Sequence, residues 1–184
     1  MGQSVKSALW GCLEIPLFMK IGTTRFENTK QATLSSFLIP FLILIPTAEI
    51  AHINPEFTDK SYTWLFGSFA LLFLISASAF FSASYVAMWA LEKRDVFYAY
   101  INAFNWMNVS SFAINLPFYL LVYAGFYEFK EMFNLFIFFV LLICAYQAYF
   151  ITHILKINWM LGTAMSIMGM LSEDMAHKIL FGSS

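Results

Sequence analysis

Five apolar stretches follow one another along this chain, and apart from Glu49 none of them carries a charged side chain. They cover residues 32–50, 61–91, 96–126, 132–152 and 157–172. An α-helix rises about 1.5 Å per residue, so about 20 residues cross a hydrocarbon core that is ~30 Å thick. Because lipid offers no hydrogen bonds, such a segment must pair its peptide groups within a helix. The pattern predicts an all-α polytopic membrane helix bundle with about five transmembrane helices.

The composition indicates that lipid, rather than water, surrounds most of the surface. Of the 184 residues, 60% are hydrophobic and only 11% are charged, whereas soluble domains average about 25% charged residues. The formal net charge is −1, which gives no support for a nucleic-acid partner. We expect membrane lipids to surround a single transmembrane domain that comprises residues 32–172.

The region before the first apolar stretch, residues 1–31, is predicted to be a cytoplasmic segment that contains a short amphipathic helix. Pro16 interrupts the helical pattern, and the segment is too short to cross a bilayer. It is predicted to lie in the membrane interface or to pack against the cytoplasmic end of the protein, and the two arrangements are compatible. At the other end of the chain, residues 173–184 are predicted to be a polar tail. The apolar face of the predicted N-terminal helix, residues 8–21, consists of Leu9, Trp10, Leu13, Leu17 and Ile21.

The positions of the basic residues predict the orientation. Basic residues concentrate on the cytoplasmic side of membrane proteins, so the N-terminus is predicted to be cytoplasmic, in a bacterial inner (plasma) membrane. The fifth stretch has only sixteen residues, and a re-entrant or interfacial helix is an alternative there. With five spans, the cytoplasmic side receives seven of the ten basic residues: Lys6, Lys20, Arg25, Lys30, Lys93, Arg94 and Lys156.

The third stretch carries a polar face. An asparagine in hydrocarbon is unfavourable unless its amide finds partners, so this face should turn toward other helices or toward water. It is either a pathway or ligand site, or a set of interhelical hydrogen bonds that fixes the bundle, and the second is the commoner use of such residues. Tyr146, Gln147 and Tyr149 in the fourth stretch are the candidates to meet the same face. The face consists of Tyr98, Asn102, Asn105, Asn108, Ser111 and Asn115.

Small residues at helical spacing predict close helix packing in two of the stretches. They let helix backbones approach each other in lipid, where no hydrophobic effect drives association. The second stretch has Ser78 with Ser82 and Ala79 with Ala83, each pair four residues apart. The fifth stretch has Gly162, Ser166 and Gly169 on one face.

Motifs for catalysis or metal binding are sparse. His52, His153 and His177 have no other His or Cys nearby at ligand spacing. Glu173 and Asp174 with His177 form a helical group that could bind a cation, although an ordinary polar helix terminus is the commoner reason for such a group. The sequence contains no phosphate-binding glycine loop or nucleophile elbow. We therefore expect a protein that is not an enzyme and that needs no metal or cofactor.

The layout resembles a known family. A proline-containing segment, Glu14-Ile15-Pro16-Leu17-Phe18, precedes five closely spaced apolar stretches. The third contains Asn115-Leu116-Pro117, and the last begins Trp159-Met160-Leu161-Gly162-Thr163-Ala164-Met165. This arrangement resembles small bacterial members of the Yip family, the Rab-interacting membrane proteins of eukaryotic secretory membranes. The resemblance implies a five-helix bundle with a cytoplasmic N-terminus and a role in membrane organisation or partner binding. It assigns no functional residue.

These patterns favour a non-enzymatic integral membrane protein that binds a partner or lipid, as an accessory or scaffold subunit of a membrane complex. The expected partners are other membrane protein subunits or further copies of the chain. The alternative is a small transporter or channel that uses the asparagine face of the third stretch. That alternative predicts a hydrated cavity lined by Asn102, Asn105 and Asn108.

Overall fold

A computed structural model describes residues 4–52, 57–128, 131 and 133–182, and these residues form helices and connecting turns without any strand. Parts of three predicted segments, residues 1–3, Met132 and residues 183–184, lie outside the described residues. Two short 3₁₀ helices, Lys20–Arg25 and Arg94–Val96, lie between the α-helices. The α-helices are α1 (Val5–Glu14), α2 (Lys30–Ser36), α3 (Leu38–Ala51), α4 (Tyr62–Ala90), α5 (Phe97–Tyr123), α6 (Phe133–Leu155) and α7 (Trp159–Phe181).

Three helical segments are long and apolar enough to cross a membrane: Lys30–Ala51, Tyr62–Ala90 and Ile137–Leu155. The first of them comprises α2 and α3, with a break at Phe37. Pro40 explains this break, because a proline ring crowds the carbonyl four residues earlier, here that of Ser36. The all-α prediction is therefore confirmed for the described residues. Three of the five predicted spans are long and apolar enough to cross a membrane.

The other two long helices differ from these three in polarity and not in length. Helix α5 has 27 residues and α7 has 23. The asparagines of α5 lower its mean hydropathy, and so do the charged residues Glu173, Asp174 and Lys178 on α7.

The five long helical segments pack as a closed ring. Helix α3 contacts α4 and α5, α6 contacts α5 and α7, and α7 contacts α4. We call the end where α5 and α7 begin the basic end, since Lys93, Arg94 and Lys156 lie there. The opposite end, where α4 and α6 begin, is the acidic end. Helices α4 and α5 also meet across the ring near the basic end, where the rings of Phe80 and Phe104 are 4.6 Å apart.

The core lies mainly in the basic half of the ring. In the acidic half, the described apolar side chains that are buried are few and mostly small, namely Ala48, Leu65 and Ala176. The described core residues are therefore concentrated in the basic half. The large side chains buried in the basic half are Phe80, Met88, Tyr100, Met107, Tyr146, Phe150, Ile151 and Leu155.

Helix α7 corrects one predicted boundary. Residues 173–184 were expected to form a polar tail, but the helix continues from Trp159 to Phe181 and is followed by Gly182, which has a positive φ of 82°. Phe181 packs against Trp64 and Phe69 of α4, with ring centroids 6.0 and 6.4 Å apart. This aromatic contact gives the polar end of the helix a packing partner, which local polarity alone did not reveal.

The N-terminal segment folds back on itself and packs against α5. Helix α1 ends just before Pro16, and the chain reverses through Phe18, whose φ is 56°. Gly11 lies so close to the Phe26 ring that a Cβ there would be 2.7 Å from it. We call residues 5–26 the N-terminal hairpin.

The hairpin reaches the middle of α5. The Cys12 thiol donates to the Trp106 carbonyl at 3.2 Å, and the Ser110 hydroxyl donates to the Cys12 carbonyl at 2.6 Å. Ala8 and Ile15 are fully buried, whereas the predicted apolar face lies exposed on the other side, with Leu13 at 61% and Leu17 at 71%. The hairpin thus packs on the bundle and presents an apolar face outward, so it combines features of both predicted arrangements.

The contact between α6 and α7 gives a test of this packing. A Cβ on Gly162 would lie 2.1 Å from Thr152 Oγ1 and 2.9 Å from the Ala148 carbonyl oxygen, which cannot move without the helix. Gly162→Ala should therefore destabilise the bundle by about 1–3 kcal/mol, the usual effect of overpacking. The measurement is the midpoint of thermal unfolding in detergent.

Gly67→Ala is the matched control, because nothing lies within 4 Å of a Cβ at Gly67 on α4. It should leave the midpoint unchanged or raise it slightly, since alanine is the better helix former. Equal midpoints for the two variants would contradict the described contact between α6 and α7.

Candidate functional site

The polar face of α5 is held at its basic end by the segment that precedes α3. Asn102 donates from Nδ2 to the Glu27 carbonyl at 3.0 Å, and Asn105 donates from Nδ2 to Ser36 Oγ at 2.9 Å. Both asparagines are 0% exposed. Their amides therefore connect α5 to the chain between the N-terminal hairpin and α3.

Two further side chains of that segment reinforce the connection. Asn28 Nδ2 donates to the Asp95 carbonyl at 2.6 Å, and its Oδ1 accepts from the Ala99 N–H at 3.0 Å, close to the start of α5. The Thr33 hydroxyl donates to the Tyr98 carbonyl at 2.9 Å. Sequence reasoning missed Asn28, Thr33 and Ser36, because their partners in and just before α5 are at least 65 positions away along the chain.

The middle of the polar face makes bonds within α5 and to α6. Asn108 Nδ2 donates to the carbonyls of Phe104 and Asn105, both at 3.1 Å, and Asn115 Nδ2 donates to the Ser111 carbonyl at 2.9 Å. The Ser111 hydroxyl hydrogen-bonds the buried Tyr146 hydroxyl of α6. This part of the face links α5 to α6 through a single pair of hydroxyls.

Two predicted members of the polar face lie elsewhere. The Tyr98 side chain is 42% exposed, and only its backbone carbonyl takes part in the network. Gln147 turns toward α7, where its Oε1 accepts from the Ser166 hydroxyl at 3.2 Å. The neighbouring Tyr146 occupies the position next to α5, because adjacent residues on a helix point about 100° apart.

The small residues of α7 pack within the chain. Gly162 lies against α6, and the buried Ser166 hydroxyl also donates to the Cys144 carbonyl at 3.1 Å. Gly169 lies against α4, where a Cβ would be 3.2 Å from the Phe80 ring. One stripe of α7 thus contacts two helices.

The small residues of α4 face outward in this chain. Ser78, Ala79 and Ser82 are exposed, and Ala83 is half-buried. Helix α4 contacts its neighbours instead through the opposite face, which includes Ala77, Phe80, Ser84 and Met88. The prediction that Ser78, Ser82, Ala79 and Ala83 form a helix-packing seam therefore concerns a contact outside this chain, and it stays a prediction.

The N-terminal hairpin contains an ion pair. Arg25 Nη2 lies 2.7 Å from Glu14 Oε1, and Arg25 Nε donates to Glu14 Oε2 at 3.0 Å. Hydrogen bonding from Arg25 lowers the pKa of the Glu14 carboxyl below its ordinary value of 4.5. A two-point contact of this kind fixes the relative position of the two arms of the hairpin.

The amide nitrogens of this polar face donate to other parts of the chain, whereas the Oδ1 atoms of Asn105 and Asn115 are buried and accept no hydrogen bond from the described residues. Among the described residues no group of three or more His, Cys, Asp or Glu side chains converges to hold a metal ion.

Comparisons with known proteins add no family: no family model matches the chain, and no curated protein or solved structure is detectably similar.

A double-mutant cycle tests the hydrogen bond between Asn105 and Ser36. Asn105→Ala and Ser36→Ala should each destabilise the protein, and their coupling energy should be about 1 kcal/mol, as for other polar pairs between membrane helices. Asn108→Ala serves as the control, because within the described part of the chain its amide bonds only to carbonyls of its own helix. The coupling energy is measured from unfolding in detergent. A value near zero would show that this hydrogen bond does not stabilise the protein.

The ion pair predicts a pH dependence of stability. Since the pKa of Glu14 is lower in the folded protein than in the unfolded chain, the pair stabilises the fold fully above pH 4.5. That contribution should be lost as the pH falls from 4.5 through the folded-state pKa. Glu14→Gln should lower the thermal midpoint at pH 7 slightly, as expected for a partly exposed ion pair, and flatten this acid-side decrease.

Glu92→Gln, which neutralises an exposed carboxylate outside the pair, is the control for this pH series. It should retain both the midpoint at pH 7 and the acid-side decrease. If Glu14→Gln gave the same curve as Glu92→Gln, the ion pair would have no stabilising role.

Proposed function

We propose that this protein is a non-enzymatic integral membrane protein that binds another membrane protein or a further copy of itself, as an accessory or scaffold subunit in a bacterial inner membrane. The observation that carries this proposal is the outward face of α4. There, Ser78, Ala79 and Ser82 are exposed near the middle of a 29-residue apolar helix. Small residues in such a position allow the backbone of another helix to approach closely.

The large side chains around these small residues also support the binding of a partner helix to α4. Leu71 and Leu74 lie exposed on the acidic side of them, and Tyr85, Val86 and Trp89 lie exposed on the basic side. The outward face therefore has a shallow notch between two bulky regions. We call the small residues Ser78, Ala79 and Ser82 the α4 notch. A partner helix that fills the notch would gain close van der Waals contact that lipid chains provide less well.

In this proposal α5 and α7 also cross the bilayer, which makes five spans. Their 27 and 23 residues correspond to helices of ~40 and ~34 Å, and they pack in the same ring as the three apolar segments. The basic end would face the cytoplasm, together with the N-terminus. A five-helix layout of this kind is also what the resemblance to the Yip family implies, and membership of that family remains part of the proposal.

The burial of the asparagines supports this function over the small transporter or channel. That alternative needs Asn102, Asn105 and Asn108 to line a hydrated cavity. Asn102 and Asn105 are instead fully buried, and each donates to the segment before α3. A solute could reach these amides only if α5 separated from α2.

Extraction with native lipids tests the proposal. The protein should leave the membrane in a particle that contains a stoichiometric partner or a defined oligomer, detectable by native mass spectrometry. Ser82→Leu, which fills the α4 notch, should dissociate that assembly. Gly67→Leu adds more bulk at an exposed position of the same helix and should leave the assembly intact. A wild-type protein that is extracted only as a monomer would contradict the proposal.

A further inference from the structure

Helix α1 carries a groove on its outward face. The groove has a volume of about 360 Å³, and ligand pockets typically have volumes of ~300–1,000 Å³. It lies on the side of the helix opposite Ala8 and Ile15, which are fully buried. The lining residues are spaced three or four positions apart, so they form one stripe along the helix. They are Val5, Lys6, Leu9, Trp10 and Leu13.

The groove is apolar and has a single cation, which lies at one end. Four of its five lining side chains are hydrophobic, and the last of them, Leu13, is 61% exposed. The exception is Lys6 in the first turn of α1, which is exposed and forms no ion pair with the described residues. A ligand with an anionic head and an apolar chain is therefore complementary to the groove, with its head at Lys6 and its chain along the stripe toward Leu13.

The charges of the N-terminal hairpin favour an anion at this surface. Glu14 is the one acidic residue of the hairpin, and its carboxylate is only 11% exposed and is paired with Arg25. Lys20 at the turn of the hairpin is exposed, as Lys6 is. Glu27 follows the hairpin and does not line the groove. The outward surface of the hairpin thus presents two ammonium groups, one near each end of α1, without a hairpin carboxylate to neutralise them.

The contact of the hairpin with α6 places it at the depth of a membrane interface. The rings of Phe18 and Tyr149 are 5.3 Å apart and nearly perpendicular. Tyr149 precedes the last residue of α6, Leu155, by six positions, or about 9 Å along the helix. The next residue, Lys156, is exposed, as is usual for a lysine that reaches the headgroups from the end of a span. Interfacial helices bury their apolar faces about 5–10 Å below that level, which agrees with the position of the hairpin.

From the groove, its cation and this depth we infer that α1 binds an anionic phospholipid such as phosphatidylglycerol, with the phosphate at Lys6 and an acyl chain along the stripe to Leu13. A helix of another membrane protein is less complementary to this face. It would remove the Lys6 ammonium from water without supplying the anion that compensates the charge. A lipid brings that anion and keeps the ammonium at the level of the headgroups.

The lipid site goes beyond the proposed function. It depends on the outward face of α1 and on the contact with the apolar segment Ile137–Leu155, whereas the proposed assembly depends on the α4 notch. The two can fail separately. Ser82→Leu should dissociate the assembly and leave lipid binding at α1 unchanged.

Photo-crosslinking of the full-length protein tests the inference. The protein is reconstituted in phosphatidylcholine nanodiscs with a trace of phosphatidylglycerol or phosphatidylcholine that carries a diazirine in one acyl chain, and the labelled residues are identified by mass spectrometry. The phosphatidylglycerol probe should label Leu9, Trp10 or Leu13, roughly fivefold more than the phosphatidylcholine probe, which is the effect expected of one lysine near the headgroups. Equal labelling of α1 by the two probes would overturn the inference.

Substitution of the lysine tests the headgroup contact. Lys6→Gln should lower the labelling of α1 by the phosphatidylglycerol probe roughly fivefold, to the level of the phosphatidylcholine probe. Lys30→Gln is the matched control, because Lys30 is an exposed lysine at the same end of the bundle that does not line the groove. It should leave the labelling unchanged. Both lysines are exposed, so neither substitution should change the thermal midpoint. The same labelling in the two variants would contradict a specific role of Lys6.

A second pair of variants tests the acyl-chain contact. Leu13→Gln replaces an exposed apolar side chain of the groove and should lower the labelling several-fold, because it removes apolar surface that the acyl chain would cover. Leu34→Gln is the control, since Leu34 on α2 is 60% exposed, almost the same as Leu13, but lies outside the groove. If Leu13→Gln labelled as strongly as Leu34→Gln, the acyl chain would not lie in the groove.

A crosslinker on the protein distinguishes a lipid from a protein at this face. With p-benzoylphenylalanine in place of Trp10, irradiation of native membranes should add the mass of one phospholipid to the full-length chain. An adduct with another protein at this position would overturn the inference and would assign the outward face of α1 to a protein partner.

Discussion

The pairing of the α5 amides with the segment before α3 is the interaction on which the arrangement of the helices depends. Asparagine side chains exposed to hydrocarbon would lose the hydrogen bonds that they make in water. The Glu27 carbonyl and the Ser36 hydroxyl accept from Asn102 and Asn105, and both amides can therefore lie fully buried. Because these acceptors lie just before α3, the same bonds fix where the first apolar segment enters the bundle. The register of α3 against α5 follows from polar chemistry at one end and from apolar packing along the rest.

The two ends of the ring are built differently. In the basic half, large aromatic and aliphatic side chains such as Tyr100, Tyr146 and Phe150 are fully buried. Among the described residues of the acidic half, the buried apolar side chains are fewer and mostly small, and Glu173 is exposed. The large buried side chains of the basic half therefore fix the positions of the helices.

The apolar stretches predicted most of the helix positions. Residues 61–91, 96–126 and 132–152 correspond closely to α4, α5 and α6, because uncharged runs of this length leave little alternative to helix. The polar face of α5 was also predicted from spacing, since helical periodicity depends only on the sequence of that helix. These predictions succeeded where the physical cause is local.

The misplaced predictions concern residues whose environment is set by distant parts of the chain. The end of α7 depends on the contact of Phe181 with α4, and no local signal in residues 173–181 indicates that contact. Tyr146, one of the predicted candidates on α6, does meet α5, whereas Gln147 points about 100° away from it, toward α7. Likewise, periodicity identified the small residues of α4, but it did not specify whether a helix of the same chain or another molecule would cover Ser78 and Ser82.

The contacts of the N-terminal hairpin constrain the order in which the chain is assembled. Cys12 bonds to Trp106 and Ser110, which are 94 and 98 positions later in the sequence. During synthesis the hairpin therefore leaves the ribosome long before its binding surface on α5 exists. Until α5 has formed, the exposed apolar face of Leu13 and Leu17 is the surface through which the hairpin can associate with a bilayer. The docking of the hairpin on α5 is consequently a late event in the maturation of this protein.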